Sequence, residues 1–322
     1  MDSAKVTIVT HCDINYVAKA HSLICSLKEN NFKGVMVVVC HDQDSLSRLT
    51  SLKMPEVYLF SISQVEELFP QLLVARLNRP QIEYYYCVTP FLVKFIMRKF
   101  DSDFFVYLDS DTYFFSDFLS ALETHNDYVV AITPHRFRIS NKNLEIYGKY
   151  NVGLMSFKKC SDSENIIDWW AKQCLVSTSI DLSEGVCGDQ KYLDNFENLS
   201  LGVKQLDNPG HNVAPWNFSD VVAQDGELKV IENSRTNKLV YFHFSGLKRY
   251  SFYSVLGFMP FRNKANKRVK KLVYKPYLKS LCESEYQLGL HKTERSKSLG
   301  YLDLIHTLRY FDLTLNPRLS KH

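Results

Sequence analysis

The sequence predicts an α/β protein: a mixed, mostly parallel sheet flanked by helices, with a basic, mainly helical C-terminal extension. Three observations carry this. Short β-branched and aromatic runs alternate with stretches of helical periodicity. Some runs, such as "GVMVVVC" (34–40), are apolar throughout, as strands covered on both faces are. The charge balance also changes at residue 247. From Leu247 to His322 there are 16 Lys and Arg against 5 Asp and Glu, a balance of +11; the whole chain carries +4, so residues 1–246 carry −7.

The elements follow in order. "KVTIVT" (5–10) is a first strand, and Val17, Ala20, Ile24 and Leu27 give a helix over 15–29. "GVMVVVC" and "EVYLFSI" (56–62) are the next strands. "VTPFLVKFIMRKF" (88–100) predicts a helix with Thr89 as N-cap and Pro90 at its first position. "FFVYL" (104–108), "YVVAIT" (128–133) and "NVGLMSFK" (151–158) are strands, and "SENIIDWWAKQCL" (163–175) is an amphipathic helix. "GDQKYLDNF" (188–196) opens a further helix, and "LVYFHFSG" (239–246) is a late strand. The predicted division is a catalytic domain over 1–246 and an extension over 247–322.

With 322 residues, 45% of them hydrophobic, the chain has enough apolar material for one large core. No run of about 18 apolar residues predicts a transmembrane helix, and "MDSAKVTIVT" leads straight into a strand with no signal-peptide pattern. Eight cysteines form no CxxC pair, which argues against a zinc site and for a reduced, cytoplasmic chain. The sequons at Asn198 and Asn217 are then without meaning.

The chemistry is sharpest at "FFVYLDSDTYFF" (104–115), where Asp109 and Asp111 interrupt an apolar run. Side chains alternate along a strand, so both carboxylates are expected on one side, at the end of a buried strand. There they repel each other unless a cation lies between them. The alternative is a plain turn, where Asp and Ser are common.

Taken together, several segments resemble the GT-A glycosyltransferases, most closely the family-8 type, the galactosyltransferase and glycogenin group. "THCDINYVAKAHSLICSLKENN" is similar to the family's opening nucleotide-binding segment, and "YLDSDTYFF" to its DxD motif. "YNVGLMSFK" resembles the segment that lines the sugar pocket, "GDQKYLD" the Asp-Gln helix, and "HFSGLKRY" the late His-x-x-Gly-x-Lys element. Their order matches over about residues 5–250. The late element departs from the usual Lys-Pro-Trp ending, with Arg249-Tyr250 after Lys248.

The resemblance implies a Rossmann-like GT-A fold and a metal-dependent enzyme that moves a hexose from a nucleotide sugar, UDP-linked, to a glycan or lipid-linked glycan. Asp109, Asp111 and His243 would hold Mn²⁺ or Mg²⁺, mixed carboxylate and imidazole ligation favouring Mn²⁺. Thr10, His11, Asp13 and Tyr16 would meet the base and ribose, with Tyr16 stacking on the base. Lys94 would lie near the donor, Asn151 and Asp189 would bond sugar hydroxyls, and Gln190 would stand beside the anomeric carbon. Gly246 would let the backbone approach the phosphates, and Lys248 would sit on the departing diphosphate. Asp189 and Gln190 are thus the catalytic candidates, with retention by front-face attack.

Each assignment has a plainer counterpart. His243 could be a packed histidine, Tyr16 a helix-face residue, Asp189 a helix cap, and Lys94 and Lys248 solvated lysines. The basic tail "RNKANKRVKKLVYKPYLKSL" (262–281) interleaves charge with apolar residues, which suits peripheral contact with an anionic membrane at its inner face or a solvated basic helix. No nucleic-acid motif accompanies it. The expected setting is cytoplasmic surface-polysaccharide or lipopolysaccharide synthesis. Two alternatives stand beside this reading: an inverting GT-A enzyme using Asp181, Glu184 or Asp189 as base, and a non-catalytic nucleotide-sugar-binding scaffold.

Overall fold

Alternation along the first strand, β1 (Val6–Cys12), sets the layers: Val6 and Ile8 enter the core on one face of the sheet and Val9 the core on the other. The computed structural model describes residues 5–122, 127–217, 220–232, 235–249, 254–256 and 267–290; at 120, 121, 140, 220, 235, 248, 249 and 254–256 it describes the backbone alone. After β1 come α1 (Val17–Glu29), β2 (Val35–Cys40), α2 (Gln43–Ser51), β3 (Val57–Ser61), α3 (Ile62–Leu68), α4 (Gln71–Asn78) and α5 (Gln81–Lys99). β4 (Phe104–Leu108), β5 (Thr112–Phe114), β6 (Val130–Pro134), β7 (Tyr150–Lys158) and α6 (Ser161–Val176) follow. A 3₁₀ turn over Gln190–Asn195 leads into α7 (Phe196–Leu199) and β8 (Val203–Gln205).

The central sheet has seven strands in the order β3-β2-β1-β4-β7-β6-β8. β3, β2, β1 and β4 run parallel, β7 is antiparallel to both β4 and β6, and β8 is parallel to β6. The expected fold class, a mixed sheet with helices on both faces, is the observed one. α5 and α6 cover the face that receives Val9, Phe105 and Tyr107; α1 covers the face that receives Ile8, Val106 and Leu108. Strand order reverses between β1 and β4, so the loops after these two strands diverge and leave a crevice at their carboxyl ends.

The predicted start of the fifth helix is corrected. α5 begins at Gln81, and Pro90 lies inside it. Tyr84, Cys87, Val88 and Phe91 continue the buried stripe backwards through "YYYC", so packing outweighs the cost of about 3 kcal/mol for an interior proline.

Among the described residues, short strands form three smaller sheets. β9 (Asp220–Gln224), β10 (Glu227–Glu232) and β11 (Arg235–Lys238) form an antiparallel sheet. β12 (Tyr241–His243) pairs antiparallel with β5, setting His243 opposite Thr112. β13 (Leu247–Arg249) pairs with β14 (Ser254–Leu256).

Residues 267–287 form one helical run: α8 (Lys267–Val269), a π turn over Lys270–Tyr274, and α9 (Lys275–Gln287). Its apolar residues Val269, Val273, Tyr274, Tyr277, Leu278 and Leu281 are buried with Phe242 and Phe244. Phe244 and Tyr277 stack with ring centroids 3.7 Å apart. His21 Nδ1 and Ser284 Oγ share a hydrogen bond of 2.9 Å, and Ser22 Oγ and Ser280 Oγ one of 2.8 Å, tying α9 to α1. The apolar stripe that the sequence offers to a membrane surface is therefore taken up by the chain's own core; residues 262–266 of that stretch lie outside the described residues. No helix among the described residues is long and apolar enough to cross a membrane.

Tyr277→Ala is expected to cost about 3–5 kcal/mol of stability, as large aromatic deletions from cores do. Urea titration checks this; a loss well under 1 kcal/mol would detach this helix from the core.

Candidate functional site

β4 ends at Leu108, and Asp109–Asp111 form a tight turn before β5. Thr112 closes the turn: its N–H donates to Asp109 O at 3.1 Å and its hydroxyl to the same oxygen at 2.8 Å. Two further bonds fix the loop from either side, Asp109 N–H to Gly153 O at 3.1 Å and Phe244 N–H to Asp111 O at 2.8 Å. The two carboxylates do converge, but through this turn and not through strand alternation. The β5–β12 pairing then delivers His243. Ligand atoms of Asp109, Asp111 and His243 all lie within 4.8 Å of one another. His243 Nε2 is 3.1 Å from Asp111 Oδ1 and 3.6 Å from Asp109 Oδ2.

Asn151 on β7 sets the imidazole. Its Oδ1 accepts from Gly153 N–H at 3.1 Å, so the His243 Nδ1 at 3.1 Å from the same oxygen is the donor. That leaves Nε2 facing the carboxylates, the arrangement by which a second residue orients a metal-binding histidine. Gly153 is required by space: a Cβ there would lie 2.5 Å from Asn151 Oδ1 and 2.7 Å from His243 Nδ1.

The electrostatics of the cluster are divided. Burial would raise Asp111, but the charges of His243 and Lys19 outweigh it and hold the carboxyl well below its usual range. Burial pushes Asp109 up, with Asp111 adding and His243 and the Tyr107 hydroxyl opposing. Burial pulls His243 down, yet the two carboxylates raise it overall. Two hard oxygens and one imidazole nitrogen, convergent, with Asp111 and His243 buried and Asp109 partly exposed, fit a divalent cation of the Mn²⁺ or Mg²⁺ kind.

These groups line a cleft of about 500 Å³ at the crevice between β1 and β4. Of the residues proposed from sequence, His11, Asp13, Tyr16, Asn151, Asp189 and Gln190 also line it. His11 Nδ1 and His41 Nε2 share a hydrogen bond of 2.7 Å; burial lowers His11 to about 4 and His41 well below its usual value, so both are neutral at pH 7. Asp13 Oδ1 accepts from the backbone N–H of Asn15 and Tyr16, which shapes the start of α1. Asp189 stands at the start of the 3₁₀ turn, but its carboxylate makes no capping bond. Burial pushes it up to about 7, opposed by the Thr89 hydroxyl and by the local backbone N–H groups. Gln190 is held on both sides: Oε1 accepts from Asn151 Nδ2 at 3.5 Å, and Nε2 donates to Tyr147 O at 2.9 Å.

Three proposed residues do not line the cleft. Lys94 points across to α6 and pairs with Asp168 at 2.5 Å, because it lies on the α5 face that packs there, away from the cleft lining. Thr10 is buried in the sheet and does not line the cleft. Gly246 adopts φ 72°, a left-handed turn that glycine permits, and lies outside the lining, where Ser245 stands instead. The side chain of Lys248 lies outside the described residues. Asp181 caps its own turn through Ser183 N–H, and Glu184 accepts from Ser177 Oγ; neither lines the cleft.

Other lining residues escaped sequence reading. His41 follows the last residue of β2 and His11 precedes the last of β1, a parallel visible only once the strands are paired. Tyr85 and Tyr86 precede the expected helix start. Trp216 Nε1 donates to His135 O at 3.0 Å, and its ring meets His243 edge-on with centroids 5.3 Å apart. Lys19 is not among the lining residues but pairs with Asp111; it follows Tyr16 by one helical turn, a spacing that could have flagged it.

No protein-family model matches the chain. Two Bacillus subtilis (strain 168) proteins described as uncharacterized are similar: YfnF, 26% identical over 258 residues (77% of this chain, 82% of that one), and YfnD, 25% over 276 residues (83% and 85%). Among solved structures, the galactosyltransferase LgtC in complex with donor and acceptor sugar analogues aligns with a TM-score of 0.49 at 13% identity, over 86% of this chain and 95% of that chain. The glycosyltransferase GlyE of Streptococcus pneumoniae TIGR4 aligns with a TM-score of 0.38 at 17% identity, over 62% and 44%.

Two predictions follow from the geometry. Gly153→Ala is expected to keep the fold by circular dichroism but to weaken Mn²⁺ binding by tenfold or more, roughly the loss of one oriented ligand; unchanged binding by calorimetry would refute the orienting role of Asn151. For Asp189, the folded pKa of about 7 exceeds the unfolded value of about 3.9, so between these limits the native state holds more protons than the unfolded one. Stability therefore falls as pH rises through this window, by up to roughly 4 kcal/mol. Asp189→Asn is expected to match the wild type near pH 4 and to exceed it above pH 7, measured by denaturant titration with chelator present; a variant less stable at pH 8 contradicts this.

Proposed function

We propose that the chain is a metal-dependent glycosyltransferase of the GT-A type. On this reading it moves a hexose from a nucleotide sugar, UDP-linked, to a hydroxyl of a glycan or lipid-linked glycan, with retention. The single observation that supports it best is the convergent Asp109/Asp111/His243 cluster, opening into a cleft at the crevice where strand order reverses. The motif resemblance over residues 5–250 supplies the reaction class. A cytoplasmic role in surface-polysaccharide or lipopolysaccharide assembly, and a 247–322 segment serving the acceptor side, belong to the same proposal.

Asp109, Asp111 and His243 would hold the divalent cation, whose chemistry is to neutralise charge on the departing diphosphate. Asn151 keeps the His243 Nε2 lone pair aimed at that position and turns its own Nδ2 to Gln190. His11, His41 and Tyr85 form an aromatic wall of the cleft, suited to a flat heterocycle; His41 and Tyr85 have centroids 4.1 Å apart. Gln190 is pinned by two hydrogen bonds and is a weak nucleophile, so its part is to position a sugar or acceptor group. Asp189, titrating near neutrality, can accept a hydroxyl hydrogen bond beside it. Front-face attack, guided by the leaving phosphate, is the retaining route this set of groups suits.

Incubation with a panel of nucleotide sugars, with Mn²⁺ or with chelator, tests the reading. Metal-dependent release of nucleotide from one donor is expected, and Asp111→Asn is expected to lose at least a hundredfold of that rate with its fold intact, as removal of an electrostatic catalytic group does. Full activity of Asp111→Asn would remove the metal assignment. Failure of every donor to react, together with no metal-dependent nucleotide binding, would favour a binding scaffold.

A further inference from the structure

Lys19 leaves α1 on the same face as Tyr16. Its Nζ lies 3.6 Å from Asp111 Oδ2 and 3.8 Å from the centroid of the Tyr16 ring. The lysine side chain is 12% exposed and that of Asp111 10%, so this ion pair is shielded from the screening that makes surface pairs weak. Asp111 is thus engaged on both oxygens, His243 at Oδ1 and Lys19 at Oδ2. The lysine has little freedom to leave by moving its helix. α1 is bonded to α9 through His21–Ser284 and Ser22–Ser280, and Ser26 Oγ accepts from Phe114 N–H at 3.1 Å on β5 itself.

We propose that, where Asp109, Asp111 and His243 hold a divalent cation as read above, Lys19 is the built-in counter-cation of Asp111 and sets the affinity of that metal site. In the metal-free protein its ammonium offsets one of two crowded carboxylates. When the metal binds, it shares Asp111 with a positive charge already in place, and that repulsion weakens binding. The anionic donor relieves the excess positive charge, so metal and nucleotide bind best together. Lys19 is a positioning and tuning residue in this scheme, acting through Asp111.

The test measures Mn²⁺ binding, by electron paramagnetic resonance of the free ion, and melting temperature with and without Mn²⁺. The proteins compared are the wild type, Lys19→Met and Lys19→Arg, with Lys19→Gln in place of Lys19→Met should that variant not fold. Lys19→Met is expected to bind Mn²⁺ about tenfold more tightly than wild type, the scale of one unit charge removed from a partly shielded site, and Lys19→Arg to stay near wild type. The metal-free Lys19→Met protein is expected to melt lower than metal-free wild type, with Mn²⁺ raising its melting temperature by more. These opposite signs are the signature; a merely structural lysine would lower both stability and metal affinity. Equal or weaker Mn²⁺ binding by a folded neutral variant, with wild type still binding, overturns this proposal and leaves the metal reading intact. Absence of Mn²⁺ binding in every protein overturns both.

Discussion

Two carboxylates held side by side, one of them buried, must be compensated, and the surroundings of Asp109 and Asp111 are built to do it. Left alone, the pair would take up a proton or push its loop apart. His243 and Lys19 arrive from opposite directions, one on a short strand and one on a helix, and each meets Asp111. The backbone of the acidic turn is tied at both ends, to Gly153 and to Phe244, so it cannot relax away from the repulsion. The resulting site stores negative charge in a fixed place, which is what a divalent ion needs.

That requirement reaches well beyond the site. β12 must pair with β5 for His243 to stand opposite Thr112, and Gly153 must lack a Cβ for Asn151 and the imidazole to meet. α1 must keep its position for Lys19 to reach Asp111, and α9 buttresses α1 through paired hydroxyl and imidazole contacts. The C-terminal helix is therefore part of the support of the cleft, although its sequence reads as a basic appendage. Lys271, Lys275 and Lys279 are exposed while Tyr274 and Tyr277 pack with Phe242 and Phe244.

The cleft also holds carboxylates in unlike environments. Asp111 is kept ionised by its cationic neighbours, whereas burial moves Asp189 towards neutrality near pH 7. One group suits permanent charge and the other suits hydrogen bonding with a variable proton, a division of labour that proteins make with environment rather than residue type. Asp189 sits at the start of a turn, and burial there, not its residue type, sets its proton.

Much of this was legible in the sequence wherever the signal is local. Apolar runs of strand length, the helical spacing after the first strand and the acidic interruption after Leu108 follow from side-chain periodicity and from the cost of burying charge. They identified the sheet, α1 and the Asp109/Asp111 pair. Motif order brought in His243, Asn151, Asp189 and Gln190. The proline rule misplaced the start of α5, because the strength of packing around Tyr84 and Cys87 is a property of the assembled core. Lys94 was assigned to the cleft and faces Asp168 on α6, since which side of a broadly apolar helix meets the site depends on its neighbours. His41, Trp216 and Lys19 were missed for the same reason. They lie far in sequence from His11, His243 and Asp111 respectively, and only the closure of β1 against β2, of β5 against β12 and of α1 against β5 brings such residues into one site.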